Sequence, residues 1–151
     1  MPRLTLLRHA QASEAPPGGR DFDRPLSAQG RAAARELGGR IAASLPSPQR
    51  LLVSPAVRTR ETSDLVCAAA WPTLVTIPAN TLYLASLEML LHEIASTPAD
   101  CPHLMLVGHN PGLSELWSLI GGEAGFVGLA TTGWRSREFD VHSWVSVAAL
   151  R

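Results

Sequence analysis

Lysine is absent from this chain of 151 residues, so its basic side chains are thirteen arginines, balanced by thirteen Asp and Glu at zero net charge. That balance excludes the broad basic field of a nonspecific nucleic-acid binder, and any anion site must be local. Long apolar runs are also missing. None approaches the ~18 residues of a membrane span, and Met1 to Ala10 places Arg8 and His9 where a signal peptide would continue apolar. The expectation is a cytoplasmic protein with neither membrane nor nucleic acid as partner. Cysteine is scarce: Cys67 and Cys101 stand far apart, without metal or redox spacing, which fits a reducing compartment. What is present, 46% hydrophobic and 17% charged residues, suits one domain spanning 1–151. Trp71, Trp117, Trp134 and Trp144 are expected in its core and Cys67 in helix packing, which favours a monomer without fixing the oligomeric state.

Short apolar runs alternate with segments of helical period, the pattern of an α/β domain on a mostly parallel sheet. Four buried strands are predicted at Leu4–Leu7, Leu51–Val53, Leu74–Ile77 and Leu104–Val107. Ser27 is expected to cap a helix over 27–44 that carries Leu37, Ile41 and Leu45. Ser86 caps a clearer one over 86–96, where Leu87, Leu90, Leu91 and Ile94 fall at i, i+3, i+4 and i+7. Ala12 to Pro25, with Pro16, Pro17, Gly18 and Gly19, reads as an exposed loop. The alternation of Val141, Ser143, Val145, Val147 and Ala149 predicts a late strand, paired with another near Trp134 to Phe139. Gly121, Gly122, Gly125 and Gly128 do not follow a strand in dinucleotide spacing and read as turns.

Three places could carry chemistry. Arg8 and His9 leave the first strand at its carboxyl end, the edge where open α/β sheets bind ligands, although a strand running into solvent would look the same. In the second, Ser54 is expected to cap a helix with Pro55 at its first position. A helical wheel then puts Arg58, Thr62, Leu65 and Ala69 on one face and Arg60 on the other. An inward Arg58 needs an anionic partner, either a ligand or an internal carboxylate. The third is Gly108-His109-Asn110-Pro111-Gly112, with Asn110 as cap and Pro111 opening a helix. Together these bring two histidines and two arginines to one sheet edge near helix starts, a phosphate site in outline. An imidazole can attack phosphorus, and positioning with charge stabilisation needs no metal. His9, His103, His109, Cys67 and Cys101 show no zinc spacing, so neither metal nor cofactor is expected.

Leu7-Arg8-His9-Ala10, Ser54-Pro55 through Arg58 to Thr62, and Gly108-His109, in this order, resemble the signature of the histidine phosphatase, or phosphoglycerate mutase-like, superfamily. Asp21-x-x-Arg24-Pro25-Leu26-Ser27 with Gly30, the Ala10 variant and the short length resemble its SixA-type phosphohistidine phosphatases. The resemblance covers nearly the whole chain and implies a three-layer α/β/α sandwich around a mostly parallel sheet. It implies that His9 is the phosphorylated nucleophile, that Arg8, Arg58 and His109 hold the transferring phosphoryl group, and that Asn110 helps bind substrate. The neighbouring cations should keep His9 neutral, with His109 the alternative bearer of charge.

The proton donor is less plain, because the family's usual Glu lies in an insertion that this chain lacks. Asp21 matches an acidic position of the SixA-like stretch and is the favoured candidate, though a loop carboxylate paired with Arg20 or Arg24 would look the same. Asp23 is a second candidate. Glu88 is a third, equally suited to its place by the helix dipole alone. A short chain leaves an open site, and the imidazole of a phosphohistidine leaves more readily than an alkoxide. The expected activity is a phosphatase for a phosphorylated protein at phosphohistidine. The alternatives are a phosphatase for small phosphoesters and a phospho-ligand binding module without turnover.

Overall fold

The computed structural model describes residues 1–150. Its centre is a five-stranded sheet in the order β3-β2-β4-β1-β5, built from β1 (Arg3–Arg8), β2 (Arg50–Val53), β3 (Thr76–Pro78), β4 (His103–Gly108) and β5 (Trp134–Glu138). All neighbours are parallel except β5, which runs antiparallel along β1. Leu4, Leu6 and Leu7 are fully buried, as are Leu104, Met105, Leu106 and Val107. Such runs, apolar on both faces, suit strands covered above and below.

The two covers are distinct. On one side α1 (Ala28–Ile41) and α2 (Val57–Ala70) pack Leu37, Ile41, Val66 and Cys67 against Leu7, Leu51, Val53, Met105 and Val107. On the other, α3 (Leu87–Ala95), α4 (Gly112–Ile120) and α5 (Trp144–Ala148) pack Leu90, Ile94, Leu116, Trp117, Trp144 and Val147 against Leu4, Leu6, Leu104 and Leu106. The molecule is a three-layer α/β/α sandwich around a mostly parallel sheet. Among the described residues no helix is long and apolar enough to cross a membrane.

Helix starts follow local chemistry. Ser27 Oγ accepts the Gly30 N–H, and Ser86 Oγ accepts the Met89 N–H, each satisfying one donor that the first helical turn leaves unpaired. Several expected boundaries move. The first helix ends at Ile41 rather than 44, and the third strand lies at Thr76–Pro78 rather than from Leu74. The loop from Ala12 to Pro25 holds a 3-10 turn at Asp21–Asp23, and its ends are tied by an Ala12–Leu26 bridge. The late strand is the main correction: β5 covers Trp134–Glu138, but the alternating segment after it forms α5. Ser143 Oγ caps α5 by accepting the Ser146 N–H, while Trp144 and Val147, three apart, enter the core and Val145 stays exposed. Of the tryptophans, Trp71, Trp117 and Trp144 are buried and Trp134 is half-buried.

Candidate active site

The register aligns Arg8 with Gly108 and Val53 with Val107, so β1, β2 and β4 end at one level. His9, Ser54 and His109 are the next residues out, and all three are buried. The His9 and His109 rings lie 5.4 Å apart between centroids, tilted by 55°. This edge is where the chain changes from covering one face of the sheet to covering the other, the usual ligand position in open α/β sheets.

His9 is held in one tautomer. Its Nδ1–H donates to the Ala10 carbonyl at 2.7 Å, which leaves Nε2 with its lone pair. The turn after β1 is fixed by Thr62, whose Oγ1 accepts the Ala10 N–H at 2.9 Å and donates to the Arg58 carbonyl at 2.7 Å. Burial first, then the charges of Arg58, Arg8 and Arg24, push the His9 pKa down to about 4 against the pull of the Ala10 hydrogen bond, so the ring is neutral at neutral pH.

His109 is neutral as well. Arg58 Nη2 faces its Nδ1 at 3.3 Å, and Ser54 Oγ lies 2.7 Å from its Nε2. A guanidinium only donates, so Nδ1 is the acceptor and the proton sits on Nε2, facing Ser54. Burial and then Arg58 push this pKa down to about 3, which removes His109 as the alternative bearer of charge. Ser54 therefore serves a histidine rather than a helix: α2 begins at Val57 after Ala56, two residues later than Pro55 at a first helical position implies.

Arg58 is 3% exposed and Arg60 is exposed, as the wheel predicts. Thr62 is buried with it, as expected, but further along, the face is rotated: Thr59, Ser63, Val66 and Cys67 are buried, whereas Leu65 is half-buried and Ala69 exposed. Arg58 finds an internal carboxylate. Its Nη2 donates to Asp21 Oδ2 at 3.0 Å and its Nη1 to the Asp21 carbonyl at 2.8 Å. Arg8 Nη1 donates to the Leu129 carbonyl at 3.0 Å. The Nε–H groups of both arginines are buried without a protein partner, and such donors are expensive to leave unpaired. Both side chains line a cleft of about 380 Å³ together with His9, Asp21, Arg24, Leu84, His109 and Asn110.

Asp21 is ionised. The Tyr83 hydroxyl donates to Oδ2 at 2.7 Å and Arg24 to Oδ1 at 3.2 Å; Tyr83 first, then Arg24 and Arg58, hold its carboxyl down at about 2. Its arginine partners are thus Arg24 and Arg58, while Arg20 pairs with Asp23. Glu88 is exposed in the first turn of α3 and does not line the cleft. Asn110 reaches the cleft, but each polar atom of its side chain has a protein partner. Nδ2 donates to the Leu129 carbonyl, and Oδ1 accepts from the Ser114 N–H and hydroxyl. It thus caps α4 from outside, since Pro111, joined by a cis peptide, precedes the first helical residue Gly112. Tyr83, Ser54 and Arg24 are missing from the sequence-based set of site residues. Arg24 and Ser54 carried signals there, in the Asp21-x-x-Arg24 stretch and the Ser54-Pro55 motif, whereas Tyr83 carried none.

Fold and site together define a phosphoglycerate mutase-like α/β protein whose cleft offers buried cationic donors beside a neutral histidine. Residues 4–79 match the family model of the histidine phosphatase superfamily, branch 1. An uncharacterised chloroplastic protein of Arabidopsis thaliana is 35% identical over 130 residues, covering 80% of this chain and 59% of that protein. The chain thus spans about three fifths of this curated relative's length. A structure assigned to phosphohistidine phosphatase SixA of Agrobacterium tumefaciens is 33% identical, with a TM-score of 0.78 over 90% of this chain and 91% of that one. The protein histidine phosphatase SixA complexed with tungstate shares the fold, with a TM-score of 0.80 at 20% identity over 96% and 90% of the two chains. The chain belongs to the histidine phosphatase superfamily.

Proposed function

We propose that the chain is a phosphatase that works through a phosphohistidine at His9 and that its preferred substrate is a protein phosphohistidine. One observation carries the reading. His9 is a neutral imidazole with its proton held on Nδ1 by Ala10, in a cleft shared with two arginines whose buried Nε–H groups have no protein partner. Nε2 attacks phosphorus, so an N–P bond forms as the bond to the leaving group breaks. Arg8 and Arg58 stabilise the equatorial oxygens and His109 adds a ring edge beside them. Water then cleaves the N–P bond, and His9 returns to its neutral form.

The leaving group decides the substrate. Asp21 is ionised at neutral pH and can only accept a proton, and Asp23 and Glu88 lie outside the cleft. An alkoxide leaving without a proton donor would be slow, whereas the imidazole of a phosphohistidine departs more readily. The cleft's rim is open, with the Asp21 side chain 44% and Leu84 55% exposed, which suits a side chain presented by another protein. The SixA assignment of the Agrobacterium relative supports the same choice.

The test compares wild type with His9→Ala on a phosphohistidine protein and on small phosphate esters, trapping phosphoenzyme at alkaline pH. The expected result is turnover of the protein substrate with an alkali-stable, acid-labile label that is lost in His9→Ala. Turnover of small esters alone would keep the mechanism and move the substrate. No label and no turnover on either would leave a binding module.

A further inference from the structure

Tyr83 stands outside every motif, yet its hydroxyl closes the network around Arg58. It follows the 3-10 turn Asn80–Leu82 beyond β3. One carboxylate oxygen, Asp21 Oδ2, accepts from both Tyr83 at 2.7 Å and Arg58 at 3.0 Å. The loop holding Asp21 has exposed residues from Pro16 to Asp21, and its exposed ion pair with Arg24 would hold it only weakly. The Tyr83 ring is located independently of its hydroxyl: it packs edge-on to Phe22 at 5.1 Å and edge-on to His109 at 5.5 Å. The next residue, Leu84, takes a φ of 47° while lining the cleft, a conformation a leucine keeps only where its surroundings enforce it.

We propose that Tyr83 is a positioning residue of this site: by sharing Asp21 Oδ2 with Arg58, its hydroxyl fixes the 21–23 turn against the guanidinium and so presets Arg58 for the phosphoryl group. The proposal rests on the phosphatase reading. With the carboxylate and the carbonyl of Asp21 both on the Nη atoms, the fork of Arg58 has one orientation before substrate arrives. Preorganisation of this kind strengthens binding by removing an ordering cost. It leaves the attacking nitrogen untouched.

The decisive variants are Tyr83→Phe, Asp21→Ala and the double mutant. Tyr83→Phe keeps the ring and its two aromatic contacts, so its melting temperature should match wild type. Steady-state kinetics with an aryl phosphate should show KM raised about tenfold, the worth of one charge-assisted hydrogen bond, with kcat within about twofold. Calorimetric titration with inorganic phosphate should show the same loss of affinity. In the Asp21→Ala background the Tyr83→Phe change should add less than about twofold, because the hydroxyl acts only through that side-chain oxygen. A full tenfold effect in that background, a loss confined to kcat, or constants equal to wild type would each overturn the proposal. The phosphate titration separates it from the reading beneath it. A wild type that binds phosphate but neither turns over nor labels His9 ends the phosphatase reading, while the comparison of affinities still decides Tyr83. A wild type that binds no phosphate ends both.

Discussion

The Ala10 carbonyl decides which nitrogen of His9 carries the proton, and burial decides that there is only one proton to carry. Those two effects have a measurable consequence. An ordinary histidine titrates near ~6.5, so an enzyme relying on one loses its nucleophile as pH falls through that value. Here the pKa of His9 is pushed down to about 4, so protonation takes the Nε2 lone pair only below that. Once the substrate's own second phosphate ionisation near ~6 is divided out, the expected kcat/KM for an acid-stable aryl phosphate is flat from about pH 8 down to about 5 and falls with an acid limb near 4. Short assays started from a neutral stock would show it. A limb near 6.5 would mean that Nε2 of His9 is not the titrating nucleophile. His109, held down at about 3 mainly by burial and Arg58, contributes no limb above that of His9.

Elements are joined here by close backbone approach as well as by side chains, and two glycines of α1 separate the effects. Gly30 sits where a Cβ would lie 2.0 Å from the Gln11 carbonyl oxygen, whereas a Cβ on Gly39 would meet nothing within 4 Å. Gly30→Ala must therefore push α1 away from the segment leaving β1, with an expected loss of ~2–3 kcal/mol. Gly39→Ala should gain ~0.5–1 kcal/mol, because alanine has less backbone freedom to lose in a helix. Chemical denaturation of the two variants checks both signs. The reading of elements from the sequence succeeded and failed for related reasons. α3 was legible because Leu90, Leu91 and Ile94 are buried on one helical face and Ser86 caps it. α5 was not, because residues 141–149 satisfy an alternating and a three-residue spacing at once, and only packing of Trp144 and Val147 against the sheet decides between them. In the same way His9, Arg58 and His109 stand out at strand and helix ends. Tyr83 reaches the site only through a turn whose path no local pattern encodes.

At the scale of the whole molecule, the sheet buries a third histidine at the edge opposite the cleft. His103, at the start of β4, is 4% exposed; Thr5 lies 2.9 Å from its Nε2, and its Nδ1 has no protein partner. Burial, with a smaller push from Arg3, lowers its pKa to about 4. His9, His103 and His109 thus share a depressed folded-state pKa. Between about 6.5 and 4 the unfolded chain binds protons that the folded one refuses, so stability is complete above about 6.5 and declines as pH falls through that window. Asp21 works in the same direction, but its contribution is lost only below its usual 3.8, on the way to about 2. The melting temperature should therefore be level above pH 7 and drop steadily toward pH 4.5. His103→Gln, which keeps an amide near Thr5, should flatten that drop while leaving kcat/KM at pH 7 unchanged, since His103 lies at the other end of β4 from His109. A melting temperature constant from pH 7 to 4.5 would contradict this account of the buried histidines. An unchanged slope in His103→Gln would assign the acid sensitivity to the cleft alone. Because the window for stability lies above the limb for activity, prolonged incubation at pH 5 should inactivate by unfolding a protein whose nucleophile is still competent, and return to neutral pH should restore both.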